Sequence, residues 1–286
     1  MKIREKRHPR WLKVPFPAGK NFDDIKKLIK QKNLHTVCQS AHCPNIGECW
    51  NNRTATFMIL GDVCTRNCHF CAVPTGTQNA IVDEDEPARV AEAVQIMSLK
   101  YAVITSVTRD DLKDGGASIF AQTILEIRRK APQCNIEVLI PDFLGDLTAL
   151  QTVMNVKPNV INHNLETVPR LYKIARPQAD YHRSLQVIKN VHLNNIYSKS
   201  GLMLGLGEHE EEVIDVMKNL REVGCDSLTL GQYLQPSTKH LPIASYITPD
   251  KFEEYKIQAL KLGFKHVESG PLVRSSYHAA DQFEDH

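Results

Sequence analysis

Six of the eight cysteines fall into two groups of three, a number that suits few metal sites. They are Cys38, Cys43 and Cys49, spaced C-x4-C-x5-C, and Cys64, Cys68 and Cys71, spaced C-x3-C-x2-C. Structural zinc uses four ligands and disulfides use pairs. Thiolates also hold iron–sulfur clusters, and a cubane offers four irons, so three cysteines leave one iron for a substrate or cofactor. The spacing therefore favours iron–sulfur clusters.

Other interpretations of the cysteines stay open at this stage. Zinc would need a fourth ligand for each group, and His35, His42 or His69 could supply one. Cys134 and Cys225 stand apart from both groups, and an isolated cysteine is most often a small buried apolar residue. Eight cysteines in a reducing compartment favour metal binding or catalysis over disulfides.

Composition is that of an ordinary globular chain. Of the 286 residues, 42% are hydrophobic and 24% are charged, which allows one large domain or two smaller ones. A net charge of +2 does not by itself indicate a nucleic-acid or membrane partner. No stretch approaches the roughly 20 apolar residues of a membrane span, and no apolar run follows the charged N-terminus as in a secretory signal. The predicted location is the cytoplasm.

The first 13 residues form a basic arm. Six lysine and arginine residues there face a single acidic residue, Glu5. Such an arm is either a solvated, mobile terminus or a docking surface for an acidic protein partner.

From residue 56 onward, strand-like and helix-like segments alternate. The predicted strands are 56–60, 101–107, 136–141, 159–165, 197–206 and 227–234, with a last extended piece at 266–273. The predicted helices are 87–99, 117–131, 147–156, 180–193, 208–224 and 249–263. Six β/α units indicate a parallel sheet with right-handed crossovers.

The fold class predicted from this alternation is α/β. An open doubly wound sheet is one candidate, but no G-x-G-x-x-G follows the first strand. A partial (β/α)6 barrel of the TIM type, open on one side, is favoured. It divides the chain into an N-terminal extension (1–55), the barrel (56–248) and a short C-terminal segment (249–286). Barrels place their chemistry at the carboxyl ends of the strands, which is where the second cysteine group falls.

The motifs together identify a family. C-x3-C-x2-C with Phe70 before its last cysteine resembles the signature of radical S-adenosylmethionine (radical SAM) enzymes, whose usual fold is a partial (β/α)6 barrel. The full set resembles the lipoyl synthases from about residue 8 to 280. It comprises both cysteine groups, "RDDLKDGGA" (109–117), "HNLET" (163–167), "ARP" (175–177), "GLMLGLGE" (201–208), "GQYLQPS" (231–237) and "RSSY" (274–277).

The resemblance implies an enzyme with two [4Fe–4S] clusters. Such enzymes insert two sulfur atoms at carbons 6 and 8 of an octanoyl group on a carrier-protein lysine. The cluster of Cys64, Cys68 and Cys71 would reduce S-adenosylmethionine to a 5′-deoxyadenosyl radical. An auxiliary cluster on Cys38, Cys43 and Cys49 would donate sulfur. The family gives that cluster a serine of RSSY as fourth ligand; Ser276 is predicted and Ser275 is the alternative.

Further roles follow from the same resemblance. Arg274 would be catalytic, neutralising the auxiliary cluster or holding the serine-bearing loop. The predicted S-adenosylmethionine contacts are Phe70, Gly115, Gly116, Asn164, Glu166 and Arg176. Glycines allow a close backbone approach, and a guanidinium can bind both oxygens of a carboxylate. Ordinary loop polarity is the alternative for each contact, and Asp110 and Asp111 share that ambiguity with capping or ion pairing.

The implied partners are proteins. They are an octanoylated lipoyl carrier domain, from an oxoacid dehydrogenase E2 component or the glycine cleavage H protein, and an electron donor such as ferredoxin or flavodoxin. We expect a monomer that binds neither nucleic acid nor a membrane. The competing classes are a methylthiotransferase, which usually carries separate domains for its auxiliary cysteines and for RNA, a two-cluster electron carrier, and a zinc-stabilised interaction module.

Overall fold

The structure is a computed structural model that describes residues 8–79 and 81–280. Residues 1–7 hold most of the basic arm, including Lys2, Arg4, Lys6 and Arg7, so that prediction lies outside the described residues. None of the helices within the described ranges is long and apolar enough to cross a membrane.

A single sheet of eight strands forms the framework of the described residues, and its spatial order follows the chain. The strands are β1 (His35–Thr36), β2 (Thr56–Ile59), β3 (Tyr101–Ser106), β4 (Asn135–Leu139), β5 (Val160–Asn162), β6 (Tyr197–Leu204), β7 (Ser227–Gln232) and β8 (His266–Gly270). Strand β1 pairs antiparallel with β2, and β2 to β8 are all parallel. The sheet stays open, with β1 and β8 as its edges.

Among the described residues, three helices precede β2, and the others lie in the connections between the parallel strands. In the described part of the chain they are α1 (Lys20–Gln31), α2 (Val37–Ser40), α3 (Ile46–Asn51), α4 (Glu86–Met97), α5 (Ala117–Lys130), α6 (Leu147–Asn155), α7 (Tyr172–Ala175), α8 (Tyr181–Leu193), α9 (Glu210–Glu222) and α10 (Pro249–Lys261). Side-chain caps fix several starting points: Asp146 accepts from the Thr148 and Ala149 amides, and Asp180 accepts from the Arg183 amide.

The partial α/β barrel is confirmed. All six predicted strands and six predicted helices are present, with ends that differ from the predicted ones by up to three residues, and the extended piece at 266–273 contains β8, a seventh parallel strand. Strand β1 and helices α1, α2, α3 and α7 were not predicted. The division into three parts stays a prediction, although β8 joins the C-terminal segment to the barrel sheet.

The two faces of the sheet differ in polarity. On the outer face, Ala102 and Ile104 of β3 share a core with Val90 of α4 and Ile124 of α5. Side chains alternate between the two faces along each strand, and the inner face carries polar side chains from four adjacent strands. Glu137 of β4 accepts hydrogen bonds from Tyr101 Oη at 2.8 Å, Asn162 Nδ2 at 3.3 Å and Lys199 Nζ at 3.1 Å.

The Lys199–Glu137 ion pair is fully buried, with each side chain only 1% exposed. Removing one partner leaves the other charge without compensation, which costs about 3–5 kcal/mol in comparable cases. We therefore expect Lys199→Met to lower the free energy of unfolding by about that amount. Urea denaturation measures it.

A double variant and a surface control separate charge from packing. Lys199→Met with Glu137→Gln should recover at least about 1 kcal/mol relative to the single variant, because no buried charge remains. Lys218→Met, in an exposed i,i+3 pair with Asp215, should change stability by no more than about 0.5 kcal/mol. Equal losses of unfolding free energy in Lys199→Met and Lys218→Met would show that burial does not make the Lys199–Glu137 pair more important.

Candidate functional site

The second cysteine group lies in the loop after β2, at the carboxyl edge of the sheet. The Cys64 amide donates to Pro74 O at 2.8 Å, and the Gly76 amide donates to Cys64 O at 2.9 Å, which folds the loop back on itself. The Thr65 amide donates to Thr108 O at 3.0 Å and ties the loop to the end of β3. The three cysteines of this loop therefore stand on a backbone fixed to two strands.

These cysteines line one cavity of about 200 Å³, which we call the first cavity. Its lining also contains four residues predicted to contact S-adenosylmethionine: Phe70, Asn164, Glu166 and Arg176. Asn164 and Glu166 follow β5, and Arg176 follows α7, so three separate loops meet here. The structure thus brings together residues that lie more than 100 positions apart in the chain.

Three buried polar atoms of residues that line this cavity have no hydrogen-bond partner among the described residues. They are Ser106 Oγ, Asn164 Oδ1 and Arg176 Nε. The remaining contacts of these side chains are made: Arg176 Nη1 donates to Asn164 O at 2.8 Å, and Asn164 Nδ2 donates to Glu166 Oε1 at 3.1 Å. A buried unpaired donor and acceptor are costly unless a ligand satisfies them, so the cavity fits a polar molecule such as S-adenosylmethionine.

Burial keeps the thiols of Cys68 and Cys71 protonated in the absence of a cation. It raises the pKa of Cys68 to about 11, although the charge of Arg176 opposes the shift, and it raises the pKa of Cys71 to about 12. Thiolates are the form that binds metal, so iron would have to displace these protons. A cationic iron–sulfur core supplies the positive charge that this donor set lacks.

The first cysteine group lines another cavity, of about 120 Å³, which we call the second cavity. Cys38, Cys43 and Cys49 lie in the segment from α2 to α3. They meet the C-terminal residues Arg274, Ser275, Ser276 and Tyr277 at this cavity. Of the two serines, Ser276 lines only the second cavity, whereas Ser275 also lines the central cavity described below.

Two long-range contacts hold the RSSY segment against the first cysteine group. Asn45 Nδ2 donates to Leu272 O at 2.7 Å, and Tyr277 Oη donates to the Glu48 carboxylate at 3.1 Å. Burial raises the pKa of Cys38 to about 11 and that of Cys49 to about 12, and the neighbouring thiols add to both shifts. Burial lowers the pKa of Arg274, while Cys43 opposes that shift.

A central cavity of about 330 Å³ shares lining residues with both cysteine sites. Phe70, Cys71 and Glu166 also line the cavity of the second cysteine group, and Arg274 and Ser275 also line that of the first. Residues of β6 and β7 complete its wall. One space therefore borders both cysteine sites, and Cys71 is the cysteine that lines it directly.

The arrangement of thiols suits a cluster better than a single ion. Within the described residues, no three His, Cys, Asp or Glu side chains are arranged to hold one metal ion. A cubane takes each thiolate on a different iron, so its ligands stand farther apart. His35, His42 and His69, the possible zinc ligands, are absent from the lining of both cysteine cavities.

Sequence comparisons decide the family. Residues 58–230 match the radical SAM superfamily, and residues 1–43 match the N-terminal domain of lipoyl synthase of the radical SAM family. The lipoyl synthase of Rubrobacter xylanophilus is 58% identical over 97% of this chain and 87% of its own length. That of Caldanaerobacter subterraneus subsp. tengcongensis is 57% identical over 96% of both chains.

This chain belongs to the lipoyl synthase family. Solved structures agree on the fold. The FeFe-hydrogenase maturase HydG from Carboxydothermus hydrogenoformans has a TM-score of 0.57 at 14% identity, over 92% of this chain and 78% of that one. Methylornithine synthase has a TM-score of 0.53 at 12% identity, over 86% of this chain and 81% of that one. The radical SAM superfamily binds a [4Fe–4S] cluster and S-adenosylmethionine.

The structure does not bring Gly115 and Gly116 to the cavities of this lipoyl synthase family member. Gly115 lies with Asp110 and Phe143 at a separate pocket beside the start of α5, and Gly116 is the residue that directly precedes that helix. Gly116 has a φ of 89°, and a Cβ there would lie 2.2 Å from Leu60 Cδ1. The two glycines are therefore needed by the turn that begins α5 and by its close packing.

A charged clamp holds the loop of the second cysteine group. Arg66 Nε donates to Asp110 at 2.7 Å, and Arg66 Nη2 donates to Asp142 at 2.6 Å. Asp142 also accepts from Arg183 Nη1 at 3.2 Å. Ion pairing was one of the alternatives for Asp110, but the roles of Arg66 and Asp142 were not predicted. Asp142 lies three residues after the end of β4, where functional side chains collect in barrels, and this position was the available signal.

A variant of Asp142 tests that clamp. Burial raises its pKa, but the hydrogen bonds and charge of Arg66 outweigh burial and hold the pKa at about 2. Its stabilising contribution is thus complete above the unfolded value of about 3.9 and is lost as the pH falls toward about 2. We expect Asp142→Asn to lower the free energy of unfolding by about 3 kcal/mol near pH 7, and by much less near pH 3.

Urea denaturation of cluster-free protein at both pH values measures this difference. Asp215→Asn is the matched control, because that carboxylate is 65% exposed, and it should change stability by no more than about 0.5 kcal/mol. A loss in Asp142→Asn that is the same at both pH values would contradict the assigned ionisation.

Proposed function

We propose that this chain inserts two sulfur atoms, at carbons 6 and 8, into an octanoyl group carried on a protein lysine. The observation that carries the proposal is the central cavity, which is lined by Cys71 and Phe70 together with Arg274 and Ser275. Unactivated C–H bonds need a cofactor-derived radical, and the protein contributes binding and placement. A chain that must bring one alkyl group to two different clusters requires this kind of shared space.

The two cysteine groups have separate roles in the proposal. Cys64, Cys68 and Cys71 hold one [4Fe–4S] cluster, and Cys38, Cys43, Cys49 and Ser276 hold the other. When bound, the first supplies the electron that cleaves S-adenosylmethionine to a radical, and the second supplies the sulfur atoms. The clamp on Arg66 keeps the loop of Cys64 in place, and the contacts of Asn45 and Glu48 keep Ser276 near the second cluster.

The S-adenosylmethionine contacts in the proposal are Phe70, Asn164, Glu166 and Arg176. Asn164 Oδ1 accepts and Arg176 Nε donates, because both atoms are buried and unpaired. Glu166 is aligned by Asn164 Nδ2 and presents a carboxylate to a cationic or hydroxyl group. Phe70 lines both the first cavity and the central one, where it would contact the adenosyl group and limit access of water.

Arg274 completes the auxiliary site in the proposal. Its Nη1 donates to Val273 O at 2.6 Å, which turns the guanidinium toward the cavity that Cys43 also lines. A positive charge here offsets thiolate charge and holds the segment that carries Ser276. Serine offers a hard oxygen ligand beside soft thiolates, so it is the ligand that the cluster loses most readily.

The family acts on lipoyl carrier proteins. We propose an oxoacid dehydrogenase E2 domain or the glycine cleavage H protein as the specific carrier, with ferredoxin or flavodoxin as electron donor. The proposed setting is the cytoplasm, with the chain acting as a monomer whose open sheet edge admits the carrier.

The proposal predicts a defined product. Anaerobically reconstituted protein should bind about eight irons. With an octanoyl-lysine peptide, S-adenosylmethionine and dithionite, it should yield a peptide with two added sulfurs, detected by mass spectrometry. Omitting S-adenosylmethionine is the control and should leave the peptide unchanged. Iron-free protein with bound zinc, or cleavage of S-adenosylmethionine without sulfur transfer to the peptide, would refute the proposal.

Ser276→Ala tests the fourth ligand of the auxiliary cluster. We expect reductive cleavage of S-adenosylmethionine to persist and formation of the lipoyl product to fall by at least about 100-fold, since the loss of a metal-site group typically costs that much. Ser275→Ala is the matched control, one residue away, and should retain most of the product. Near-normal product in Ser276→Ala with loss in Ser275→Ala would reverse the assignment.

A further inference from the structure

Two turns lie against the outside of the segment Cys68–Cys71. Cys68, Phe70 and Cys71 line the first cavity, but His69 between them does not. The His69 amide donates to Ala175 O at 2.8 Å, and its Nδ1 lies 2.7 Å from Ile174 O. The segment thus faces the cavity on one side and a surface turn on the other.

The second turn contacts the same segment from the loop after β7. His240 Nε2 lies 2.9 Å from Cys71 O, and the Leu241 amide donates to His69 O at 3.0 Å. The backbone of Cys71 and that of His69, which follows Cys68, are therefore hydrogen-bonded directly to the two turns. Among the described residues, these contacts form a short path from the thiolates of the first cavity to the exterior.

Each of the two turns presents an exposed lysine. Lys173 precedes Ile174, and Lys239 precedes His240. Neither lysine forms an ion pair within residues 8–79 and 81–280, and Ile174, next to Lys173, is an exposed apolar side chain, 53% accessible. We call His69, Lys173, Ile174 and Lys239 the outer face.

The acidic residues nearest to Lys173 in the chain are engaged elsewhere. Glu166, seven residues before it, lines the first cavity. Asp180, seven residues after it, accepts from the Arg183 amide at the start of α8. Exposed lysines beside an exposed apolar side chain are the complement of an acidic protein surface that carries apolar residues.

We propose that the outer face is the docking surface for an acidic one-electron donor protein. The inference rests on the proposed function, which consumes electrons. One electron leaves the reduced donor, and the group held by Cys64, Cys68 and Cys71 gains it, so the donor is oxidised by one electron per encounter. Electron transfer slows steeply with distance, and the outer face is separated from the thiolates by a single layer of backbone.

An octanoylated carrier is a poorer occupant of the same face. Its acyl chain must enter the central cavity, and the backbone of residues 68–71 lies between that cavity and the outer face. An electron needs proximity only, whereas an alkyl chain needs an opening. The geometry therefore favours the donor.

The test compares two sources of electrons in one variant. Lys173→Glu/Lys239→Glu holoenzyme should cleave S-adenosylmethionine with dithionite at the wild-type rate. With reduced flavodoxin as the probe, the rate should fall by at least about tenfold at low ionic strength, because charge reversal removes electrostatic steering. The difference should shrink at high salt. Calorimetric titration of the holoenzyme with oxidised flavodoxin should show a parallel loss of affinity.

Lys100→Glu/Lys189→Glu is the charge-matched control. Lys100 lies just before the amino end of β3, at the opposite end of the strands from the cysteine loop, and Lys189 lies in the second half of α8. This variant should therefore behave as wild type. A flavodoxin rate within twofold of wild type in the outer-face variant, or an equal loss in the control, would overturn the proposal. So would lost affinity for an octanoylated carrier with unchanged affinity for flavodoxin. Failure of the wild type with dithionite would count against the proposed function, and the titration would still decide the docking surface.

Discussion

The parallel register of β2 to β8 is the constraint on which the site depends. Parallel strands end at one edge, so seven loops from distant parts of the chain meet there. The loop that carries Cys64 is tied to Thr108 after β3, and Arg66 reaches Asp142 after β4. Asn164 and Glu166 arrive from β5, while Tyr233 and Gln235 arrive from β7. No local segment of the chain could assemble these groups by itself.

Burial is the second physical theme. It makes thiols hold their protons and leaves a donor and an acceptor unpaired in the first cavity. Both effects are unfavourable in an isolated chain, and both are relieved when a cationic cluster and a polar cofactor bind. Natural proteins tolerate such local conflicts mainly where function requires them. The costs are offset elsewhere by two continuous apolar cores on the outer side of the sheet.

Much of this arrangement could be predicted from the sequence, because periodic apolar segments determine strands and helices locally. The six crossover helices predicted the barrel, the odd cysteine counts predicted iron–sulfur clusters, and the resemblance of the motifs to a family implied the chemistry. Helix α1 carries apolar residues at Phe22, Ile25 and Ile29, a spacing that would have predicted it. Strand β8 was harder, since "HVESG" has little apolar alternation and gains its structure from pairing with β7. Gly115 and Gly116 show the limit: a position in the right loop does not say which side of the loop faces the cavity.

The auxiliary site is built from the two ends of the described chain. Asn45 and Leu272 are joined by a hydrogen bond across 227 positions, and Glu48 and Tyr277 across 229. During synthesis, the cysteines of this site leave the ribosome long before the RSSY segment does. The loop of Cys64 can form once the first strands of the barrel have emerged, but the second cavity lacks a wall until RSSY has emerged as well. A chain that stopped before RSSY would thus retain the loop proposed to start radical chemistry and lack the complete pocket proposed to hold the sulfur source.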